Sequence, residues 1–304
     1  MQPVRLKFID FWDGFENENW FLPFLSSHFP IEIAEKPDFI IYSDFGDEHL
    51  RYGCTRIYYT GENSRPDFHR CDYAFTFDYS DHPRHYRLPL YRLYFNETDL
   101  TQNRNVENIQ HQNRRFCCMV VSNPNARERV DFFHALSAYR HVDSGGKVLN
   151  NVGGPVPDKR PFIRNYKFAF AFENSSYSGY TTEKLVEAWV EGCVPIYWGN
   201  PRVDEEFNPN AFINLNAFKT WSDAIEYIGK VDTDCGLYEA YLRAPLFPEN
   251  RLPAGLTERA IVEKFAAIFQ GGKRNLCLRR ALEGMAYLAR KTVRHFHKKR
   301  ARKC

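Results

Sequence analysis

Bulky and small apolar residues alternate most clearly in Tyr166 to Phe172, where Phe168, Phe170 and Phe172 interleave with Ala169 and Ala171. That period of two predicts a strand with one bulky face and one small face. Glu173 to Tyr180 is polar and turn-rich, with Ser175, Ser176, Ser178 and Gly179. Thr181 or Thr182 is then placed to N-cap a helix running to about Glu191, which Gly192 stops. Val194 to Trp198 reads as the next strand, closed by Gly199-Asn200-Pro201. The expected unit is strand–loop–helix–strand, with the helix N-terminus at the carboxyl end of the sheet. Open α/β folds bind ligands there, and free backbone N–H groups favour an anion. Lys184 falls in the first helical turn, where a cation opposes the dipole. It points to a bound anion or is a solvated surface lysine.

The same patterning extends to both sides. Val4 to Phe11, Pro37 to Ser43, Arg56 to Thr60 and Tyr73 to Phe77 read as strands, and Trp20 to Phe29 as a short helix. A Tyr/His-rich loop should follow to about Pro89, and Asn96 to Arg115, polar and without periodicity, should be a mobile loop. Phe116 to Ser122 is a further strand. Arg127 to Tyr139 is a helix with Val130, Phe133, His134 and Leu136 to Ser137 on its inner side. Ile213 to Leu215 reads as a strand, and Ser222 to Lys230 as a helix packing Ala224, Ile225 and Ile228. Strands alternating with helices predict parallel sheets. Gly145-Gly146 and Gly153-Gly154-Pro155 suggest a boundary between domains at 1–150 and 151–277.

The last segment, 278–304, has a different pattern. Leu278, Leu282, Met285, Leu288, Ala289, Val293 and Phe296 form one apolar stripe, and arginines and lysines cover the rest. Such a basic amphipathic helix either lies on an anionic membrane surface or packs its stripe on the body.

Composition narrows the class. A chain of 304 residues with 43% hydrophobic and 16% aromatic residues has room for two α/β domains and is not disordered. The net charge of +3 is too small to argue for nucleic acid, and the basic tail lacks interleaved aromatics. No run of eighteen apolar residues would span a membrane, and MQPVRLKFIDFW has no signal-peptide core. The eight cysteines show no C-x-x-C and no histidines at ligand spacing, so they read as reduced, mostly buried thiols.

FAFENSSYSGYTTEKLVEAWVEGCVPIYWGNP resembles the donor-binding signature of the α-1,3-fucosyltransferases, glycosyltransferase family 10. The F-x-x-x-F-E-N, G-Y-x-T-E-K and V-P-I-Y-W-G segments stand in order and unbroken. The resemblance implies two Rossmann-like domains facing across a cleft (the GT-B type) and inverting transfer of L-fucose from GDP-fucose. The implied acceptor is the 3-hydroxyl of GlcNAc in a lactosamine-type oligosaccharide, with the α-1,4 position or another acceptor as the alternative. A catalytically silent glycan- or nucleotide-binding module is the rival from another class. Animal members carry a Golgi membrane anchor, so the absence of one here suggests a bacterial cytosolic form, peripheral on the membrane if the tail binds lipid.

Glycosyl transfer requires that the acceptor hydroxyl lose a proton and that the departing diphosphate be stabilised. Asp232-Thr233-Asp234 is the only Asp-x-Asp triplet, in a loop-like stretch, and it makes a poor metal site. No cofactor is required on this reading, with manganese stimulation left open, and cations with a helix N-terminus must meet the diphosphate. Lys184 is one candidate. SNPNARER resembles the family's S-N-P-N-A-x-x-R, which makes Arg129 the second, although Arg127 departs from the motif's small residue. Glu183 matches the acidic residue placed at the donor's ribose or fucose, but a first-turn glutamate is favourable on structural grounds alone. Asn174 and Tyr180 match donor-contacting positions, and Glu173 could equally face the pocket. RIYYTGENSRPDF resembles the family's Y-x-T-G-E-N segment, whose glutamate, here Glu62, is the proposed base. A strand-end carboxylate can project toward substrate as a base must, or can bond the local turn. His69, His82 and His85 lie nearby without comparable placement.

Overall fold

The computed structural model describes residues 2–17, 19–124 and 127–271, in two compact units. Of the described residues, the first unit comprises those up to Thr76, Ser80–Arg87 and 258–271. Its strands are β1 (Val4–Ile9), β2 (Ile31–Ile33), β3 (Phe39–Tyr42), β4 (Thr55–Tyr59), β5 (Tyr73–Thr76) and β6 (His85–Arg87), with helix α1 (Phe21–His28) between β1 and β2. They form one parallel sheet in the order β2-β1-β3-β4-β5-β6. The central strands β3 and β4 are buried along their whole length, and β3 accordingly reads as a continuous apolar run, while β4 also buries Thr55 and Arg56.

The second unit holds Phe77–Tyr79 and Leu88–Thr257. Its elements are α2 (Tyr91–Tyr94), α3 (Glu97–Thr101), α4 (Val106–His111), β7 (Arg115–Met119), α5 (Arg127–Tyr139), β8 (Val142–Ser144), α6 (Lys159–Ile163), β9 (Tyr166–Phe172), α7 (Lys184–Val190), β10 (Val194–Trp198), β11 (Ile213–Asn214), α8 (Trp221–Thr233) and α9 (Cys235–Arg243). The five strands form a second parallel sheet in the order β11-β10-β9-β7-β8. Phe168, Phe170 and Phe172 of β9 face the core with Phe132 and Phe133 of α5, while Ala171 leaves room on the other face for α7 through Leu185, Val186 and Trp189. This is the α/β class with two parallel sheets that the strand pattern predicts.

The chain divides elsewhere than the glycines suggest. β7 and β8 lie before residue 150, yet they pair in the second sheet. A domain 1–150 would cut that sheet, and the crossing falls instead between Thr76 and Leu88. Gly146 is a packing residue: a Cβ there would stand 2.1 Å from the Val121 carbonyl oxygen. The last described helix, α10 (Glu258–Gln270), returns to the first unit, where Phe265 stacks on Phe75 at 4.7 Å and Phe269 meets Phe39 edge-on at 4.9 Å.

The stretch 96–115 is not a bare loop. Asn96 caps α3 by accepting from Asp99 N at 2.9 Å, and Asn105 caps α4 by accepting from Asn108 N at 3.0 Å. Leu100, Val106 and Ile109 are buried. The Tyr/His-rich loop contains β6, whose His85 Nε2 bonds Thr76 Oγ1 at 2.8 Å. On α5 the inner face carries Arg129, Phe132, Phe133 and Leu136, whereas His134 is exposed. Cys71, Cys117, Cys118 and Cys193 are free and buried, Cys54 is half-buried and Cys235 is exposed. Burial pushes the Cys71 and Cys193 thiols up to about 12, so neither is a thiolate at neutral pH. Cys277, Cys304 and the amphipathic tail lie outside the described residues. No described helix is long and apolar enough to cross a membrane.

Phe265→Ala tests the return of α10. Removing a fully buried ring that stacks on Phe75 should cost about 3–5 kcal/mol in urea unfolding. An unchanged midpoint would mean that α10 does not complete the core of the first unit.

Candidate active site

The carboxyl end of the second sheet is organised by Glu173, the residue that follows β9. Its N–H continues the ladder to Trp198 O at 2.8 Å, and its side chain is fully buried. Oε1 accepts from Thr182 N at 2.7 Å, and Oε2 accepts from Thr182 Oγ1 at 2.6 Å and from Lys184 Nζ at 3.3 Å. Burial raises the Glu173 carboxyl above its usual range, opposed by Lys184. The close fit extends to Gly199, where a Cβ would lie 2.4 Å from Glu173 Cγ. Its φ of 155° also suits glycine.

These bonds explain why neither threonine caps α7. Thr182 turns its hydroxyl and its amide onto Glu173, so the helix begins two residues later and Glu183 occupies the cap position without a side-chain bond. Gly192, with φ of 79°, ends the helix as the sequence suggests. Asn200, fully buried after β10, ties the rest of the loop down. Its Oδ1 accepts from Gly179 N at 2.8 Å and Arg202 N at 2.9 Å, and its Nδ2 donates to Thr181 Oγ1 at 3.1 Å. Ser176 Oγ donates to Gly199 O at 2.8 Å.

Lys184 is neither a free surface cation nor an isolated anion receptor. Its ammonium donates to Thr182 Oγ1 at 2.8 Å and lies 3.3 Å from Glu173 and 3.4 Å from Glu183. Burial works to lower its pKa, but the two carboxylates outweigh it and hold the ammonium above its ordinary range. For Glu183 burial acts to raise the carboxyl, yet Lys184 and Lys159 together bring it below the usual value.

Arg129 joins the same edge from α5. It continues the Phe132, Phe133, Leu136 stripe by one turn, which buries its guanidinium beneath the end of β9. Nη2 donates to Phe172 O at 2.9 Å, Glu173 O at 3.1 Å and Asn174 Oδ1 at 3.1 Å. Nη1 reaches Asn123 O at 3.4 Å, and Nε has no hydrogen bond among the described residues. Burial lowers the Arg129 pKa, opposed by Glu173. Arg127 is distinct: it is exposed and pairs with Asp131 at 3.3 Å.

Arg129, Asn174, Glu183 and Lys184 are therefore brought into one bonded chain through Glu173. Tyr180 sits on the same loop but is buried, its ring 4.9 Å from that of Phe77. Glu173 and Asn200 are the residues whose organising roles sequence reasoning missed. The signal available for both was position, each being a polar residue within two positions of the end of an apolar strand.

In the first unit, Glu62 stands on the turn after β4. The Asp44 carboxylate fixes this turn by accepting from Tyr58 OH at 2.5 Å, Thr60 Oγ1 at 2.5 Å and Ser64 Oγ at 2.6 Å. Glu62 N donates to Thr60 Oγ1 at 3.0 Å and its carbonyl accepts from Ser64 N at 2.7 Å. Its carboxylate is exposed and makes no hydrogen bond or ion pair among the described residues. Asp44 and the Thr60 hydroxyl hold the turn together with its main chain, and the Glu62 carboxylate is left available.

Asp232 and Asp234 have other work. Asp232 lies in α8 and pairs with Arg140 and, at 2.8 Å, with Lys167, while Asp234 caps α9 by accepting from Leu237 N at 3.0 Å.

Residues 6–94 match the family description "Alpha-(1,3)-fucosyltransferase FucT N-terminal domain", and residues 110–244 match "Glycosyltransferase family 10 (fucosyltransferase) C-term". The chain belongs to glycosyltransferase family 10. It is 33% identical over 280 residues to an α-(1,3)-fucosyltransferase of Helicobacter pylori, covering 78% of this chain and 59% of that protein. It is 30% identical over 197 residues to human GDP-fucose protein O-fucosyltransferase 3, covering 58% of this chain and 41% of that one. The chain thus spans less than two thirds of either relative. Crystal structures of an α1,3-fucosyltransferase with GDP and with GDP-fucose superpose with TM-scores of 0.75 and 0.76 at 29% identity, covering 88% of this chain and 90% of theirs. Both family descriptions stop short of α10, and the gap between them, 95–109, contains α3 and most of α4.

Glu173→Gln should lower stability by about 3–5 kcal/mol in chemical denaturation, because an amide cannot accept from Thr182 N, Thr182 Oγ1 and Lys184 together. Thr182→Val should cost about 2 kcal/mol, the weight of the two hydrogen bonds its hydroxyl makes to Glu173 and Lys184. If Glu173→Gln were the milder of the two, the loop would not be organised around the carboxylate.

Proposed function

We propose that this family 10 chain transfers L-fucose from GDP-fucose to the 3-hydroxyl of a GlcNAc residue in a lactosamine-type glycan, inverting the anomeric centre. The observation that supports it most strongly is the Glu173-centred loop, which gathers Arg129, Asn174, Glu183 and Lys184 at the carboxyl end of the second sheet. That loop is built on the F-E-N and T-E-K segments of a family with a GDP-fucose-bound structure of matching fold.

In this reading the departing diphosphate meets Arg129 and Lys184. Arg129 is anchored through Nη2, with its Nε outside any described hydrogen bond. Lys184, between two carboxylates, stays charged, so it can share its proton donors with phosphate oxygens. Asn174 and Glu183 contact the sugar or ribose, and Tyr180 supports the loop from beneath. Glu62 takes the acceptor proton: its carboxylate is held on a braced turn and is not occupied by other groups. His85 is bonded to Thr76 and His82 is stacked on Phe68, which makes either a poorer base. No metal is needed for leaving-group departure in this scheme. The basic, apolar-striped tail pattern supports attachment to the anionic surface of a membrane.

Release of GDP from GDP-fucose should depend on N-acetyllactosamine and exceed that with type-1, lactose or polypeptide acceptors. Faster turnover with another acceptor would reassign the acceptor, and no turnover with any would favour a binding module. Activity should survive EDTA; complete loss restored by manganese would contradict the metal-free scheme.

Glu62→Gln should lower kcat by about 10²–10⁴-fold with GDP-fucose affinity little changed. Arg129→Ala or Lys184→Ala should each cost about 2–4 kcal/mol in kcat/KM for the donor. Near-normal turnover of Glu62→Gln would place the base elsewhere.

A further inference from the structure

At the other end of the second sheet, where β7, β9 and β10 begin, lies a cavity of about 480 Å³. Four arginines line it, Arg104, Arg114, Arg160 and Arg164, against two carboxylates, Asp99 and Glu191. Its outer wall is the α3–α4 segment, held in place by the Asn96 and Asn105 caps.

Both carboxylates are already engaged. Asp99 accepts from Asn96 N at 3.1 Å within the α3 cap. Glu191 is buried between Arg160, at 2.6 Å, and Arg164, at 2.7 Å. The other two arginines have no carboxylate partner among the described residues. Arg104 donates to the carbonyls of Trp189, Cys193, Tyr241 and Leu242, and its guanidinium lies 4.6 Å from the Trp189 ring. Arg114 donates to the carbonyls of Tyr166, Glu191 and Gly192 and to Gln112 Oε1. Carbonyl dipoles satisfy the donors but leave the positive charge in place. Burial accordingly pulls the Arg104 pKa down to about 9.

Free donors remain at the mouth. Arg160 and Arg164 are about half exposed. Each turns one edge to Glu191: Arg160 donates through Nε, and Arg164 through Nε and Nη2. The two terminal nitrogens of Arg160 and Nη1 of Arg164 make no hydrogen bond among the described residues. Guanidinium forks in excess of carboxylates match a multiply charged oxyanion.

We infer that this cavity is a second anion site, at the opposite end of the sheet from the donor loop, and that it takes a phosphate group carrying two negative charges. Such a group is borne by a soluble phosphate ester or by a phospholipid headgroup. α7 connects the two ends: Lys184 begins it beside Glu173, and Glu191 follows its last residue.

The test uses the full chain and two probes, pyrophosphate in calorimetry and vesicles of phosphatidylcholine containing phosphatidic acid in cosedimentation. With GDP in excess to occupy the donor loop of the proposed function, pyrophosphate should still bind, and R160Q/R164Q should weaken it about tenfold. R160Q/R164Q strips Glu191 of its partners and risks unfolding. N108E is therefore the second variant: it adds a carboxylate to the exposed cavity wall, removes no partner, and should weaken binding several-fold with the melting temperature preserved. Loss of pyrophosphate binding in these variants carries the proposal with a soluble ligand, and loss of vesicle binding alone carries it with a lipid headgroup. The proposal fails if neither probe binds, or if N108E binds both as the parent does.

Discussion

A carboxylate with no exposed surface must find all its partners inside the fold, and Glu173 sets that requirement for the second unit. Thr182 and Lys184 meet it, so the chain between them and β9 has to leave the sheet, fold back and start a helix within reach of the carboxylate. Gly199 follows from the same demand, since a side chain there would enter the space of Glu173. Asn200 then closes the loop onto the end of β10. Each of the loop's polar groups named here bonds a buried one.

Charge on α7 is arranged along one face. Glu183, Glu187 and Glu191 recur every four residues, the spacing that stacks side chains on a helix. Lys159 pairs with Glu187, Arg160 and Arg164 pair with Glu191, and Lys159 also acts on Glu183. α6 thus supplies the cations for a helix whose first residue, Lys184, is a cation in the place where the dipole favours an anion. That unfavourable placement is stabilised by Glu173 and Glu183, which hold the ammonium charged at the helix start.

The strands were legible because their residues alternate or run apolar, and the Phe168–Phe172 face packs on α5 as its pattern implies. β2, β6 and β8 were not, since three residues such as Ile31–Ile33, His85–Arg87 or Val142–Ser144 carry too little pattern to separate from loop. The division between units was misplaced for a different reason. Local glycines mimic a linker, whereas membership of a sheet depends on pairings such as Cys117 with Phe168, which no local window contains. Arg129 and Lys184 were legible as cations at the right edge. Their partners were not, because the bonds to Phe172 O and Glu173 depend on how β9 and α5 pack. Asn96 to Arg115 looked structureless for want of periodicity, yet its two helices are each about one turn long and rest on asparagine caps.

Hydrogen exchange with and without GDP-fucose tests most directly whether the Glu173-centred loop is the donor site. Amides from Glu173 to Lys184 and in the first turn of α5 should gain protection with GDP-fucose and not with UDP-glucose. Protection confined to other segments, or equal protection by both nucleotides, would contradict the assignment.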